Sequence, residues 1–84
     1  MDLITLSNGK EYTAEFAALS IMTGNFNARL QIDDLPTLVK DFSESEKIIV
    51  DNESTGRKEY VGYTRFTRIL LDDGAYLITL AKEG

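Results

Sequence analysis

Neither cysteine nor histidine occurs among the 84 residues of the chain. Without cysteine there is no disulfide, no thiolate nucleophile and no cysteine-based zinc or iron–sulfur site. Without histidine the commonest general base and the commonest metal ligand are missing. The six glycines stand singly in turn-like settings, so no glycine-rich phosphate cradle is formed. No apolar run approaches the roughly 18 residues of a membrane-spanning helix. The N-terminus lacks the charged region followed by an apolar one that marks a signal peptide. A cytoplasmic protein without metal or cofactor is the expectation.

What is present describes one small domain over residues 1–84. Hydrophobic residues make up 43% and charged residues 27% of the chain, and a typical domain needs about 100–150 residues. A chain this short buries only about 60–65% of its unfolded surface, so its own core gives modest stability. With disulfides excluded, association into a homo-oligomer is the reinforcement left open. Nine basic residues against 14 acidic ones give a net charge of −5. Direct nucleic-acid binding is disfavoured, since it needs a cationic surface to displace counterions. Anionic membranes are disfavoured on the same ground, whereas a basic protein partner is permitted.

The hydropathy pattern is mostly that of strands. Leu3–Leu6 and Glu11–Phe16 flank Asn8-Gly9, a hairpin signal that suits a type I′ turn, with Tyr12, Ala14 and Phe16 expected on one face. Ser20–Thr23 reads as a continuation of that strand. Phe26, Ala28, Leu30 and Ile32 then alternate with Asn25, Asn27, Arg29, Gln31 and Asp33, the pattern of a half-buried strand. The period changes at Leu35, Leu38, Val39 and Phe42, which form one stripe of a helix of about two turns. Asp33 or Asp34 can cap it, and Pro36 is tolerated in its first turn. Such a helix is too short to be stable alone and must dock on the sheet. Ile48–Val50 is a β-branched strand, and Asp51–Lys58 reads as a polar loop. A long strand from Glu59 to Leu71 follows, with a bulge expected near Gly62 because the apolar phase slips there. Asp72-Asp73-Gly74 marks a tight hairpin, and the last strand, Ala75–Lys82, places Tyr76, Ile78 and Leu80 on one face. The expected fold is α+β: a mostly antiparallel sheet of about six strands, open or forming a partly open barrel, with one short helix.

Carboxylates are the only plentiful catalytic residue type, and each cluster has a structural explanation. Asp33-Asp34 begins a helix, where carboxylates favour the dipole. Glu44 and Glu46 lie in a polar loop, and Asp72-Asp73 belongs to a turn. Asp51-Asn52-Glu53 lacks the spacing of a calcium loop. There is no G-x-S-x-G, no S-x-x-K in a fitting context and no base to activate a serine. The chain is therefore expected not to be an enzyme.

One segment stands out, Tyr60-Val61-Gly62-Tyr63-Thr64-Arg65-Phe66-Thr67-Arg68, where aromatics and arginines interleave within an acidic protein. Arginine offers a planar fork suited to phosphate or carboxylate, and tyrosine offers a stacking face with a polar tip. Tyr63, Arg65 and Arg68, joined by Arg29 and Asn27 from the polar face of the third strand, are the expected binding residues for a small anionic, nucleotide-like ligand. The plainer alternative is that the aromatics belong to the core or its rim and the arginines pair with acidic residues across strands.

The elements LITLSNGKEY, LQIDDLPTLVKDF and YVGYTRFTRI give the chain a resemblance, over most of its length, to short uncharacterised proteins of tailed bacteriophages and prophages of Gram-positive bacteria. The resemblance implies a viral accessory or virion-associated protein in a bacterial cell, and it brings no catalytic residues with it. Two functions are therefore expected. One is an inhibitor of host antiphage defence that sequesters an anionic nucleotide signal or occludes a defence protein. The other is a virion or tail-accessory component.

Overall fold

A computed structural model describes residues 1–83. Seven strands and one helix follow in the order β1 (Asp2–Leu6), β2 (Glu11–Leu19), β3 (Phe26–Leu30), α1 (Leu35–Glu44), β4 (Lys47–Asn52), β5 (Gly56–Val61), β6 (Tyr63–Asp72) and β7 (Ala75–Lys82). All strands belong to one sheet in the order β5-β4-β1-β2-β3-β7-β6, and every pairing is antiparallel. The fold is α+β, as expected, and the sheet is open rather than closed into a barrel.

The seventh strand arises where the sequence suggested a bulge. Gly62 adopts a φ of 87°, in the left-handed region that glycine enters at no steric cost. The chain does not continue as one strand from Glu59 to Leu71 with a local irregularity. It leaves one edge strand, β5, turns at Gly62 and enters the opposite edge strand, β6. Gly62 fastens this corner from both sides: its N–H donates to Glu46 O at 2.8 Å, and its carbonyl accepts from Glu83 N–H at 2.8 Å. Joining opposite edges through one residue requires a strongly curled sheet. Phe26 of β3 and Tyr60 of β5 lie four strand steps apart, about 19 Å on a flat sheet, yet their rings meet at 5.3 Å. The phase slip has two further sources within β6, register shifts between Tyr63 and Arg65 and between Phe66 and Arg68.

Turn chemistry sets the hairpins, though not always as the sequence suggests. At Asn8-Gly9 only glycine has positive φ. Gly9 N–H donates to Leu6 O at 3.0 Å and Leu6 N–H to Lys10 O at 2.9 Å. This is a three-residue connection with a glycine bulge, not the type I′ turn. The type I′ geometry occurs instead at Asp73 (φ 51°) and Gly74 (φ 79°), closed by the Asp72–Ala75 pair. The Asp51–Lys58 loop is shorter than expected, because Asp51 and Asn52 extend β4 while Gly56, Arg57 and Lys58 begin β5. Ser20–Thr23 is a tight turn rather than strand, closed by Ser20 N–H donating to Asn25 O and Gly24 N–H to Ser20 O, both at 2.8 Å.

The core lies on the inner face of the curled sheet. Ile4, Phe26, Leu30, Ile48, Ile78 and Leu80 are fully buried there with Leu38 and Phe42 of α1. Asp34 caps the helix, its Oδ1 accepting from Thr37 N–H at 3.1 Å, and Pro36 sits in the first turn as expected. At ten residues, α1 is nearly three turns long, and it docks its Leu38–Phe42 stripe against the sheet. Phe42 is wedged between Tyr12 at 5.5 Å and Phe66 at 6.4 Å. Phe16 departs from its expected face. A register shift between Ala14 and Phe16 turns Ala17 inward and leaves Phe16 43% exposed. Asp2 supports this irregularity, its Oδ2 accepting from Ala17 N–H at 2.8 Å.

Candidate functional site

Strand pairing decides which side chains share a face, because residues directly opposite one another point the same way. Ile78 and Leu80 are core residues, so their neighbour Thr79 points outward. Thr79 is paired with Asn27 on one side and Arg68 on the other, Leu77 with Arg29 and Leu70, and Ala81 with Arg65. Four of the five expected binding residues, Asn27, Arg29, Arg65 and Arg68, therefore share the outer face of β3, β7 and β6. Tyr63 does not. It is opposite Lys82, packs against the core and meets Tyr60 edge-on at 6.3 Å. The register shift between Tyr63 and Arg65 separates tyrosine from arginine, a slip invisible in the spacing of the sequence.

Arg29 is occupied within the fold. Its guanidinium pairs with Glu15, donates to Asp72 Oδ2 at 2.8 Å and donates to the Asp72 carbonyl at 3.1 Å. These carboxylates hold its pKa above the ordinary arginine value, Asp72 most strongly. For Arg29 the cross-strand pairing alternative is the correct one, and it acts as a clamp between β2, β3 and the end of β6. Arg65 is exposed on the same face.

Asn27 and Arg68 come together in a cleft of about 400 Å³ between the β2–β3 turn and the β6–β7 pair, lined also by Ser20, Thr23, Asn25, Thr67 and Thr79. Its acceptors are largely used internally. Asn27 Oδ1 accepts from Thr79 Oγ1 at 2.7 Å, Ser20 Oγ from Thr23 N–H at 3.3 Å, and Thr23 Oγ1 from Asn25 N–H at 3.3 Å. These bonds leave the hydroxyl protons of Ser20 and Thr23 available as donors. Arg68 makes no ion pair among the described residues. Among the described residues no carboxylate lines the cleft, although the chain carries 14 acidic residues. The turn residues Ser20 and Thr23 escaped the sequence reading because they resemble a strand continuation. Their signal is the Thr23-Gly24-Asn25 turn, which brings them to the cleft.

Two other depressions differ in character. A crevice of about 200 Å³ holds Asp2, Lys58 and Tyr60. Both carboxylate oxygens of Asp2 are engaged there, by Ala17 N–H and by the Asn52 amide, and burial together with the Asp2 charge raises the Tyr60 pKa. A depression of about 300 Å³ lies between the first hairpin and the end of α1, lined by Ser7, Asn8, Asp41, Glu44 and Ser45. Asp41 accepts there from Lys10 Nζ at 2.9 Å, Tyr12 Oη at 2.8 Å and Asn8 Nδ2 at 3.3 Å. In both places the polar groups serve to join elements of the fold.

Among the described residues no group of three or more Asp and Glu side chains is placed to hold a metal ion, and no helix is long and apolar enough to cross a membrane. No family model, curated protein or solved structure matches the chain.

Proposed function

We propose that this chain is a non-catalytic binding protein of a bacteriophage or prophage that holds a small anionic, nucleotide-type ligand in the Arg68 cleft. One observation carries the reading: among the described residues, a cleft lined by no carboxylate holds an arginine without an ion pair and hydroxyls able to donate, in a protein of net charge −5. An anion entering it gains charge-assisted bonds from the guanidinium. Its volume of about 400 Å³ falls within the range of about 300–1,000 Å³ usual for small-molecule sites. The exposed Arg65 two pairs along the same face adds a second cation within reach of an extended ligand. In the cytoplasm of an infected bacterium such a protein would inhibit antiphage defence by sequestering the nucleotide signal on which that defence depends.

Calorimetry with a panel of cyclic and ADP-ribose-type nucleotides tests this. Binding of at least one member is expected, with a loss of roughly tenfold or more for Arg68→Ala, as befits one charge-assisted contact. No heat from any member, or undiminished binding by Arg68→Ala, would remove the reading.

A virion or tail-accessory role is favoured by a different feature. Ile21 and Met22 are essentially fully exposed at the tip of the β2–β3 turn, where water alone gives no reason for two adjacent large apolar side chains. Mass spectrometry of purified particles decides that role, since a structural component must be present in them.

A further inference from the structure

The two edges of the sheet are protected differently. β5 carries Arg57, Lys58 and Glu59, and charged side chains blunt an edge against pairing. The first half of β6 is protected by its two register shifts. The second half, Arg68–Asp72, pairs regularly with β7 and has no bulge, lysine or proline. Its centre is Ile69, Leu70 and Leu71, which are 37%, 41% and 66% exposed.

We infer that this half of β6 is a self-pairing edge through which two copies of the chain form a two-fold dimer. This goes beyond the ligand reading and stands without it. Asp72 and Ala75 flank a two-residue type I′ turn and so exchange backbone hydrogen bonds. By the alternation of antiparallel pairs, Leu70 and Arg68 also bond inward to β7. The N–H and C=O groups of Ile69 and Leu71 therefore point away from β7, to the side on which no further strand pairs with β6. An antiparallel copy centred on Leu70 brings Ile69 opposite Leu71 of the second copy, and the reverse, which satisfies these groups on both chains. In the same register Leu70 meets its own symmetry mate, and Arg68 faces Asp72 of the second copy at each end.

Faces agree as well as registers. Ile69 and Leu71 are both paired with inward residues of β7, Ile78 and Tyr76, whereas Arg68, Leu70 and Asp72 all point outward. Asp72 remains able to accept, because Arg29 occupies only its Oδ2 and its carbonyl. The segment is thus self-complementary in hydrogen bonding, hydropathy and charge, which favours a second copy over an unrelated strand. The five N–H donors of Arg68 allow one side of the fork to meet Asp72 of the second copy while the other faces the cleft.

Sedimentation over a wide concentration range is the test, with circular dichroism to confirm folding of each variant. The unmodified chain is expected to dimerise reversibly. Leu70→Lys places two cations at the two-fold axis and is expected to be monomeric, with nucleotide binding retained because Leu70 does not line the cleft. Arg68→Glu and Asp72→Lys each set like charges opposite one another and are expected to weaken association roughly tenfold or more. Mixing these two variants restores opposite charges at both ends, and a heterodimer is expected. A chain monomeric at every concentration overturns the inference. So does a dimer indifferent to Leu70→Lys, or a mixture that fails to associate better than its components.

Discussion

Asp41 is the residue at which helix and hairpin are joined by charge. Hydrogen bonds from Lys10 and Tyr12 hold its carboxyl below the usual carboxylate range. Burial and the same contact push the Tyr12 phenol up to about 12. The two shifts act at opposite ends of the pH scale. The stability Asp41 contributes is complete above its unfolded pKa of about 3.9 and is lost as pH falls through the lowered folded value. The contribution of Tyr12 is present below about 10 and is lost as pH rises through about 12. Thermal melts of Asp41→Asn against the unmodified chain are expected to differ at neutral pH and to converge in acid. Ultraviolet titration is expected to show Tyr12 ionising above the ordinary tyrosine value, and Asp41→Asn to bring that step down. None of this pairing is adjacent in sequence, since Asp41 lies 29 positions from Tyr12. The sequence marks Asp41 only as a polar neighbour of the Leu38–Phe42 stripe.

Elements were legible in proportion to how locally they are determined. The alternation of Phe26, Ala28 and Leu30, the Leu38–Phe42 stripe and the Tyr76, Ile78 and Leu80 face each reflect side-chain period alone, and each lies as expected. The departures occur where a backbone irregularity resets the period. Phe16 follows the shift beside Glu15, Tyr63 is cut off from Arg65, and Gly62 ends one strand and begins another. A glycine within a strand-like run is compatible with either a bulge or a corner. Only the pairing of Glu46 and Glu83 on its two sides selects the corner, and those partners are 16 and 21 positions distant. Gly62→Ala is expected to cost about 1–2 kcal/mol in chemical denaturation, because a side chain is strained at positive φ. Its Cβ would meet Lys82 only at ordinary contact distance, so steric conflict adds little. Leu38→Ala is expected to cost about 2–5 kcal/mol by opening a cavity between helix and sheet. An unaltered midpoint for either variant would show that the corner or the helix contact is dispensable.

For the whole molecule, the curl of the sheet and the register shifts within it have consequences that no window of sequence contains. The curl encloses the core, and the register shifts within β6 sort Arg65 and Arg68 onto the outer face, apart from the aromatics with which they interleave in sequence. The Tyr-Arg segment is therefore two layers rather than one pocket: Tyr60, Tyr63 and Phe66 are partly buried against the core, and Arg65 and Arg68 face outward. Asn27 joined Arg68 as the sequence suggested because both pair with Thr79, whereas Arg29 was claimed by Glu15 and Asp72. The Ser20 and Thr23 hydroxyls that line the cleft with Arg68 come from the β2–β3 turn. The functional proposal rests on that combination. Its most direct test is nuclear magnetic resonance of the isotope-labelled chain titrated with the nucleotide panel. Shifts are expected to concentrate at Ser20, Thr23, Asn27, Thr67, Arg68 and Thr79, and to vanish for Arg68→Ala. Unchanged spectra, or shifts centred on the Asp2 crevice or the Asp41 depression, would contradict it.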